Sequence, residues 1–183
     1  MNPGGVFVTG TDTGVGKTIV ASALAAWCRA RGADVGVMKP VATGGCDRRE
    51  GRWVSDDAIR LATAADIHDP WKLVNPVCFR EPLAPWTAAQ RAGVRIRLDV
   101  VLRAFRALRA RHDVLIVEGV GGLLVPLTAR LTVAELARAL GLPLVIVARP
   151  GLGTLNHTLL TLQCAARHGL AVAGVLLNHA DAS

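Results

Sequence analysis

The segment that most constrains this chain is Gly10-Thr11-Asp12-Thr13-Gly14-Val15-Gly16-Lys17-Thr18, which follows the apolar run Val6-Phe7-Val8 and leads directly into a helical pattern. A glycine-rich turn between a strand and a helix lets backbone N–H groups curl around an anion, and the helix N-terminus adds its positive dipole end. A lysine and a hydroxyl residue closing such a turn are placed to reach the β- and γ-phosphates and a Mg2+ ion. The segment therefore reads as a phosphate-binding loop. Counting back from Gly16-Lys17-Thr18, the usual first glycine falls on Thr11; the glycine stands one residue earlier, at Gly10, so the loop is longer by one.

The remainder of the chain repeats the strand–helix alternation. Thr18 to Arg31 reads as a helix ended by Gly32, and Val35 to Met38 as a second strand. Thr43 to Gly93 is irregular and rich in Gly, Pro and Trp, with short helices near 57–65 and 86–91. A helix from Val100 to Arg111 then leads into a strand at Val114–Val117, a helix at Val133–Leu140 and a strand at Leu144–Val147. A long helix from Leu155 to His168 and a fifth strand at Val172–Leu177 follow. Strands apolar on both faces and separated by helices predict a parallel sheet of βαβ units. The expected architecture is α/β, three-layered, with helices on both faces of the sheet in a P-loop NTPase-like fold. No repeat or linker divides residues 1–183, so one domain is expected.

Composition narrows the function classes. Half the residues are apolar and spread along the chain, which excludes global disorder. The longest apolar stretch, Leu140 to Ala148, is far short of the ~20 residues of a membrane span, and no secretion signal opens the sequence. Four scattered cysteines form no CxxC pair, so neither a zinc site nor a disulfide framework is expected, and the cytoplasm is the simplest location. The net charge of +7 comes mostly from arginines on amphipathic helices, such as Arg103, Arg106 and Arg109, without interleaved aromatics. That argues for a solvated basic face rather than a nucleic-acid groove; neither nucleic acid nor membrane is an expected partner.

In open parallel sheets, ligands bind beyond the carboxyl ends of the strands. The second strand ends at Lys39-Pro40-Val41-Ala42-Thr43-Gly44, the third at Glu118-Gly119-Val120-Gly121-Gly122, the fourth at Arg149-Pro150-Gly151, and the fifth at Asn178-His179. Lys39 reads as a second cation facing the γ-phosphate, and Glu118 as a carboxylate that binds Mg2+ directly or through water. Asp56 and Asp57 open a helix behind Ser55, where metal binding and plain complementarity to the helix N-terminus are both open readings.

In order along the chain, Phe7 to Thr18, Lys39 to Gly44, Asn75-Pro76, Glu81-Pro82-Leu83-Ala84-Pro85, Val117 to Gly122 and Gly151-Leu152-Gly153-Thr154-Leu155-Asn156-His157 resemble the dethiobiotin synthetase family. The resemblance implies an ATP-dependent ligase that joins 7,8-diaminononanoate and CO2 into dethiobiotin, through a carbamate and a carbamic–phosphoric anhydride. It implies Lys17 and Lys39 as phosphoryl-transfer cations, with Thr13 organising the site. Thr18, Asp57 (rather than Asp56) and Glu118 would surround Mg2+. Gly14, Val15, Gly16, Lys17, Thr18 and Ile19 would wrap the phosphates of ATP, with Gly119, Val120 and Gly121 beside them. Asn178 would bond the adenine. Thr43 would contact the diamine or its carbamate, and Gly153, Thr154, Leu155 and Asn156, from the partner of a homodimer, its distant carboxylate.

Two departures stand out. Many family members carry glutamate where this chain has Gly14. The family also continues with a segment that closes over the base, whereas this chain ends at Ser183, so it reads as shortened at the C-terminus. The alternatives are a switch ATPase of the partitioning or septum-positioning type and a non-catalytic shortened relative. Such switch ATPases carry a second lysine early in the loop, where this chain has Thr11, Asp12 and Thr13.

Overall fold

The computed structural model describes residues 4–178. Strand β1 (Gly4–Gly10) runs through the phosphate loop into helix α1 (Lys17–Ala30), and β2 (Val35–Met38) follows. Next come β3 (Val41–Thr43), β4 (Cys46–Arg49), β5 (Arg52–Ser55), α2 (Asp56–Ala65), α3 (Trp71–Val74), β6 (Val77–Phe79) and α4 (Pro85–Arg91). The second half alternates through α5 (Leu98–Arg109), β7 (Val114–Glu118), α6 (Val133–Leu140), β8 (Leu144–Ala148), α7 (Thr154–Arg167) and β9 (Val172–Leu177).

The main sheet has the order β2-β7-β1-β8-β9, and every pairing in it is parallel. Period two along each strand divides its side chains between two cores. Phe7, Met38, Leu115, Val117, Leu144 and Ile146 face the layer of α5, α6 and α7. Val8, Val35, Val37, Ile116 and Val147 face α1 and α2. Burial on both faces is why the strands read as unbroken apolar runs, and the three-layer expectation holds. β1 lies at the centre between β7 and β8, so the loop that follows it emerges at the middle of the sheet's carboxyl edge. β9, at the edge, is exposed along its whole length.

The stretch from Thr43 to Gly93 is more ordered than its composition implied. β3 and β6 form a small parallel sheet, and β4 and β5 an antiparallel hairpin. Strands of three or four residues are too short for periodicity to register, and β4 is Cys-Asp-Arg-Arg, largely exposed. The hairpin turn at Glu50-Gly51 places both residues at positive φ (49° and 74°), a conformation that glutamate seldom adopts and so does not announce.

Candidate nucleotide-binding and catalytic site

Three strand ends and one helix start converge on a cavity of about 620 Å³. β1 delivers the glycine loop, β2 delivers Lys39, β7 ends on Glu118, and α2 begins with Asp57 in its first turn. The turn into α1 passes through Gly16 at φ 91°, a left-handed conformation that suits glycine. A side chain there would also displace Asn178, since a Cβ would lie 1.9 Å from its Nδ2.

The centre of the site is an ammonium between two carboxylates. Lys39 Nζ lies 2.6 Å from Glu118 Oε1 and 2.8 Å from Asp57 Oδ2, and it also donates to the Gly119 carbonyl at 3.2 Å. Thr18 Oγ1 is 2.9 Å from both Asp57 Oδ1 and Glu118 Oε1, and its single proton can serve only one of them. Asp56, by contrast, is exposed on the other side of the helix start beside Gly45, so Asp57 is the acid that faces the cavity. Lys17 Nζ curls back onto the Asp12 carbonyl at 2.8 Å, inside the loop.

Lys39 is 3% exposed and Glu118 1%, so each charge is sustained only by the others. Burial alone would lower the Lys39 pKa, but Glu118 and Asp57 outweigh it and hold the ammonium above the ordinary lysine value. Glu118 is pushed up, chiefly by burial, while Asp57, more open, is held low by Lys39 against its own desolvation. Lys17 falls to about 8, from burial first and the charge of Lys39 second. Glu118 Oε2 is buried without a hydrogen-bond partner. A hydroxyl and two carboxylates, one with an orphaned oxygen, form a hard-oxygen donor set of the kind Mg2+ shares with substrate phosphates.

A residue absent from the sequence-derived site fixes this arrangement. Asn75 is fully buried; its Oδ1 accepts from the Ser55 amide (2.9 Å), and its Nδ2 donates to the carbonyls of Lys39 (2.8 Å) and Val77 (3.1 Å). One side chain thus ties the Lys39 backbone to Ser55, whose hydroxyl caps α2 through the Ala58 amide. Arg60 was also missed. It stands three residues after Asp57 on α2, hence on the same face, and lines the cavity. The signal was that spacing. Pro82, Leu83, Ala84 and Pro85 form the facing wall.

Of the expected site residues, Thr13, Gly14, Gly16, Lys17, Thr18, Ile19, Lys39, Thr43, Asp57, Glu118, Val120 and Gly121 line this one cavity. Val15 is buried beneath the loop, and Gly119 meets Lys39 through its carbonyl. Asn178 lies at the back of the loop, donating to the Val15 carbonyl at 3.1 Å. Gly153, Thr154, Leu155 and Asn156 are not brought to the cavity within one chain. They form the start of α7, with Leu155 and Asn156 exposed.

Fold and site together define a P-loop nucleotide-dependent enzyme, and solved structures similar in shape agree on the fold. The kinase domain of Escherichia coli tyrosine kinase ETK matches all of this chain and 71% of its own, with a TM-score of 0.55 at 20% identity. A ParA family ATPase from Chlorobium tepidum TLS matches all of this chain and 76% of its own, with a TM-score of 0.54 at 19% identity. Residues 4–183 match the family model described as an AAA domain. Sequence relatives narrow the class. The ATP-dependent dethiobiotin synthetase BioD of Anaeromyxobacter dehalogenans (strain 2CP-1) is 53% identical over 95% of this chain and 76% of the relative. That of Xanthomonas oryzae pv. oryzae is 44% identical over 99% and 80%, and that of Bacillus licheniformis 44% over 95% and 72%. The chain belongs to the ATP-dependent dethiobiotin synthetase family, the ligases of biotin biosynthesis. No helix among the described residues is long and apolar enough to cross a membrane.

Proposed function

We propose that this cavity joins 7,8-diaminononanoate, CO2 and ATP into dethiobiotin, ADP and phosphate, as a homodimeric, Mg2+-dependent enzyme of the cytoplasm. The observation that carries the reading is the buried ammonium of Lys39, 2.6 Å from Glu118, facing the glycine loop across one cavity with Lys17. Two anions, a carbamate and a triphosphate, repel each other, and fixed cations in a site shielded from water offset that repulsion where it peaks, in the transition state.

One substrate amine adds to CO2 and loses a proton, giving the carbamate, which Thr43 contacts and Thr13 helps to orient. A carbamate oxygen attacks the γ-phosphorus, the bond to the bridging oxygen breaks, and ADP departs. Lys39 and Lys17 stabilise the charge on the transferring group. The second amine then attacks the carbonyl of the mixed anhydride, closes the cyclic urea and expels phosphate. The backbone of Gly14 to Ile19 holds the phosphates, Gly119 to Gly121 border them, and Asn178 bonds the base. Thr18, Asp57 and Glu118 would hold Mg2+, which would supply charge neutralisation to the phosphates. The diamine's carboxylate falls to Gly153, Thr154, Leu155 and Asn156 of the partner subunit. The support for this is that the first-turn amides of Leu155 and Asn156, both exposed residues, have no backbone acceptor among the described residues, whereas that of Thr154 is turned onto the Gly151 carbonyl.

Subunit mixing tests the arrangement. Lys17→Ala and Asn156→Glu, which sets a negative charge at an exposed helix position, should each abolish diamine-dependent ATP consumption. Mixed and allowed to exchange, the two should regain activity through hybrid sites free of both changes. Demonstrated exchange without recovery would mean that each subunit works alone.

A further inference from the structure

Outside the cavity, two thiols meet that the proposed reaction does not use. Cys46 begins β4, Cys78 is the middle residue of β6, and their sulfurs lie 2.7 Å apart. A disulfide bond spans about 2.05 Å, so the sulfurs need to close by only about 0.7 Å. The approach is set by the strands. β6 pairs with β3 in the register Ala42–Cys78 and Thr43–Phe79, and the chain turns at Gly44-Gly45 to bring Cys46 back over β6. Cys46 Sγ also faces the carbonyls of Gly44 (3.1 Å) and Phe79 (3.3 Å), which fix its direction. Both thiols are partly exposed, within reach of a small reagent. Cys28 and Cys164 pack on opposite faces of the main sheet and serve as internal controls.

We propose that Cys46 and Cys78 form a reversible oxidation site, which exchanges with small-molecule disulfides to give an intramolecular disulfide that locks the β3–β4 turn onto β6. In the first step one cysteine gives its proton to solvent, and its thiolate attacks a sulfur of the small disulfide. That S–S bond breaks, and the released thiolate takes up a proton. The second cysteine, deprotonated in turn, attacks the protein-bound sulfur, forms the Cys46–Cys78 bond and releases the second small thiol. Two electrons pass from the pair to the small disulfide, and two thiols leave. Burial, first of all, holds both protein thiols above the ordinary thiol range, so both are protonated at neutral pH. Proximity rather than thiolate character then favours the second step, which is intramolecular. The lock reaches in two directions. Thr43 lies three residues before Cys46, and Cys46 pairs across the hairpin with Ser55, the cap of α2.

The test is oxidation of the intact chain with oxidised glutathione, followed by thiol counting, peptide mapping and thermal unfolding. The expected result is loss of two of the four thiols, a Cys46–Cys78 linked peptide, and an unfolding midpoint raised by roughly 5 °C or more, all reversed by dithiothreitol. Cys46→Ser and Cys78→Ser should each stop at a mixed disulfide with glutathione and show no such rise. The peptide map of the unaltered chain decides the linkage even if a variant folds poorly. Retention of all four thiols, stable glutathione adducts on both cysteines, or linkage through Cys28 or Cys164 would overturn the site; a Cys46–Cys78 bond with an unchanged midpoint would overturn the lock.

Discussion

Lys39 is held where a lysine is costly to keep, nearly sealed from solvent and needed by two acids. In the proposed reaction, phosphates and a divalent cation would give the acids a second partner and leave the ammonium to face the transferring group. Lys39→Ala should therefore lower kcat by ~10²-fold or more, as expected for a lost electrostatic stabiliser. ATP affinity should change far less, because the loop backbone remains. Turnover and nucleotide-binding isotherms check this, and near-normal turnover would remove Lys39 from the mechanism. Lys39 and Glu118 were legible in the sequence because a charged residue directly after an apolar strand has few structural reasons to be there. Asn75-Pro76 entered only as part of the resemblance and its role was not legible, since nothing local distinguishes a buried asparagine before proline from one in a turn; that role rests on two partners distant in sequence, Lys39 and Ser55, and one nearby, Val77. Gly14 is a different case. A Cβ at this position would meet no atom within 4 Å, so a side chain here is opposed by the positive φ of 75° rather than by packing.

Between elements, the site depends on ties that hold β2, β5, α2 and β6 in one register. Asn75→Ala removes three hydrogen bonds and takes from the Ser55 amide and the Lys39 carbonyl the side-chain partner they have here. Each buried group so orphaned costs ~1–3 kcal/mol, so the unfolding midpoint should fall by several degrees. Turnover should fall further than the folded fraction explains, because the Lys39 backbone and the start of α2 lose their common anchor. Unchanged stability would contradict the role. At the opposite end of the sheet, His112 bridges Asp34 (2.7 Å) and Asp69 (2.8 Å), joining the segment after α5 to the approaches of β2 and α3. Burial pulls the His112 pKa down, but hydrogen bonds and charge from both acids prevail and raise it above 6.5. A raised pKa means stabilisation that is full below about 6.5 and is lost as pH rises through the folded-state value. The midpoint difference between the unaltered chain and His112→Gln should thus be largest near pH 6 and shrink in alkaline buffer. A difference that grew with pH would refute the bridge.

For the whole molecule, the main sheet was legible because its strands are buried on both faces, and a sustained apolar run between helices fits little besides a buried parallel strand. The β3–β6 ladder and the β4–β5 hairpin were not, because their strands are short, partly polar and defined by pairing rather than by pattern. Those inconspicuous strands carry Thr43 into the cavity and lead into the helix that presents Asp57, so the part of the fold hardest to read builds much of the site. Under the proposed function, this cavity fixes CO2 into a cyclic urea at the expense of ATP. The most direct measurement follows carbon from labelled bicarbonate into acid-stable product. Label should enter dethiobiotin, with one ADP released per ring closed, only when 7,8-diaminononanoate, ATP and Mg2+ are all present, and should be lost in Lys39→Ala. ATP hydrolysis that proceeds without the diamine and leaves no label in acid-stable product would contradict it.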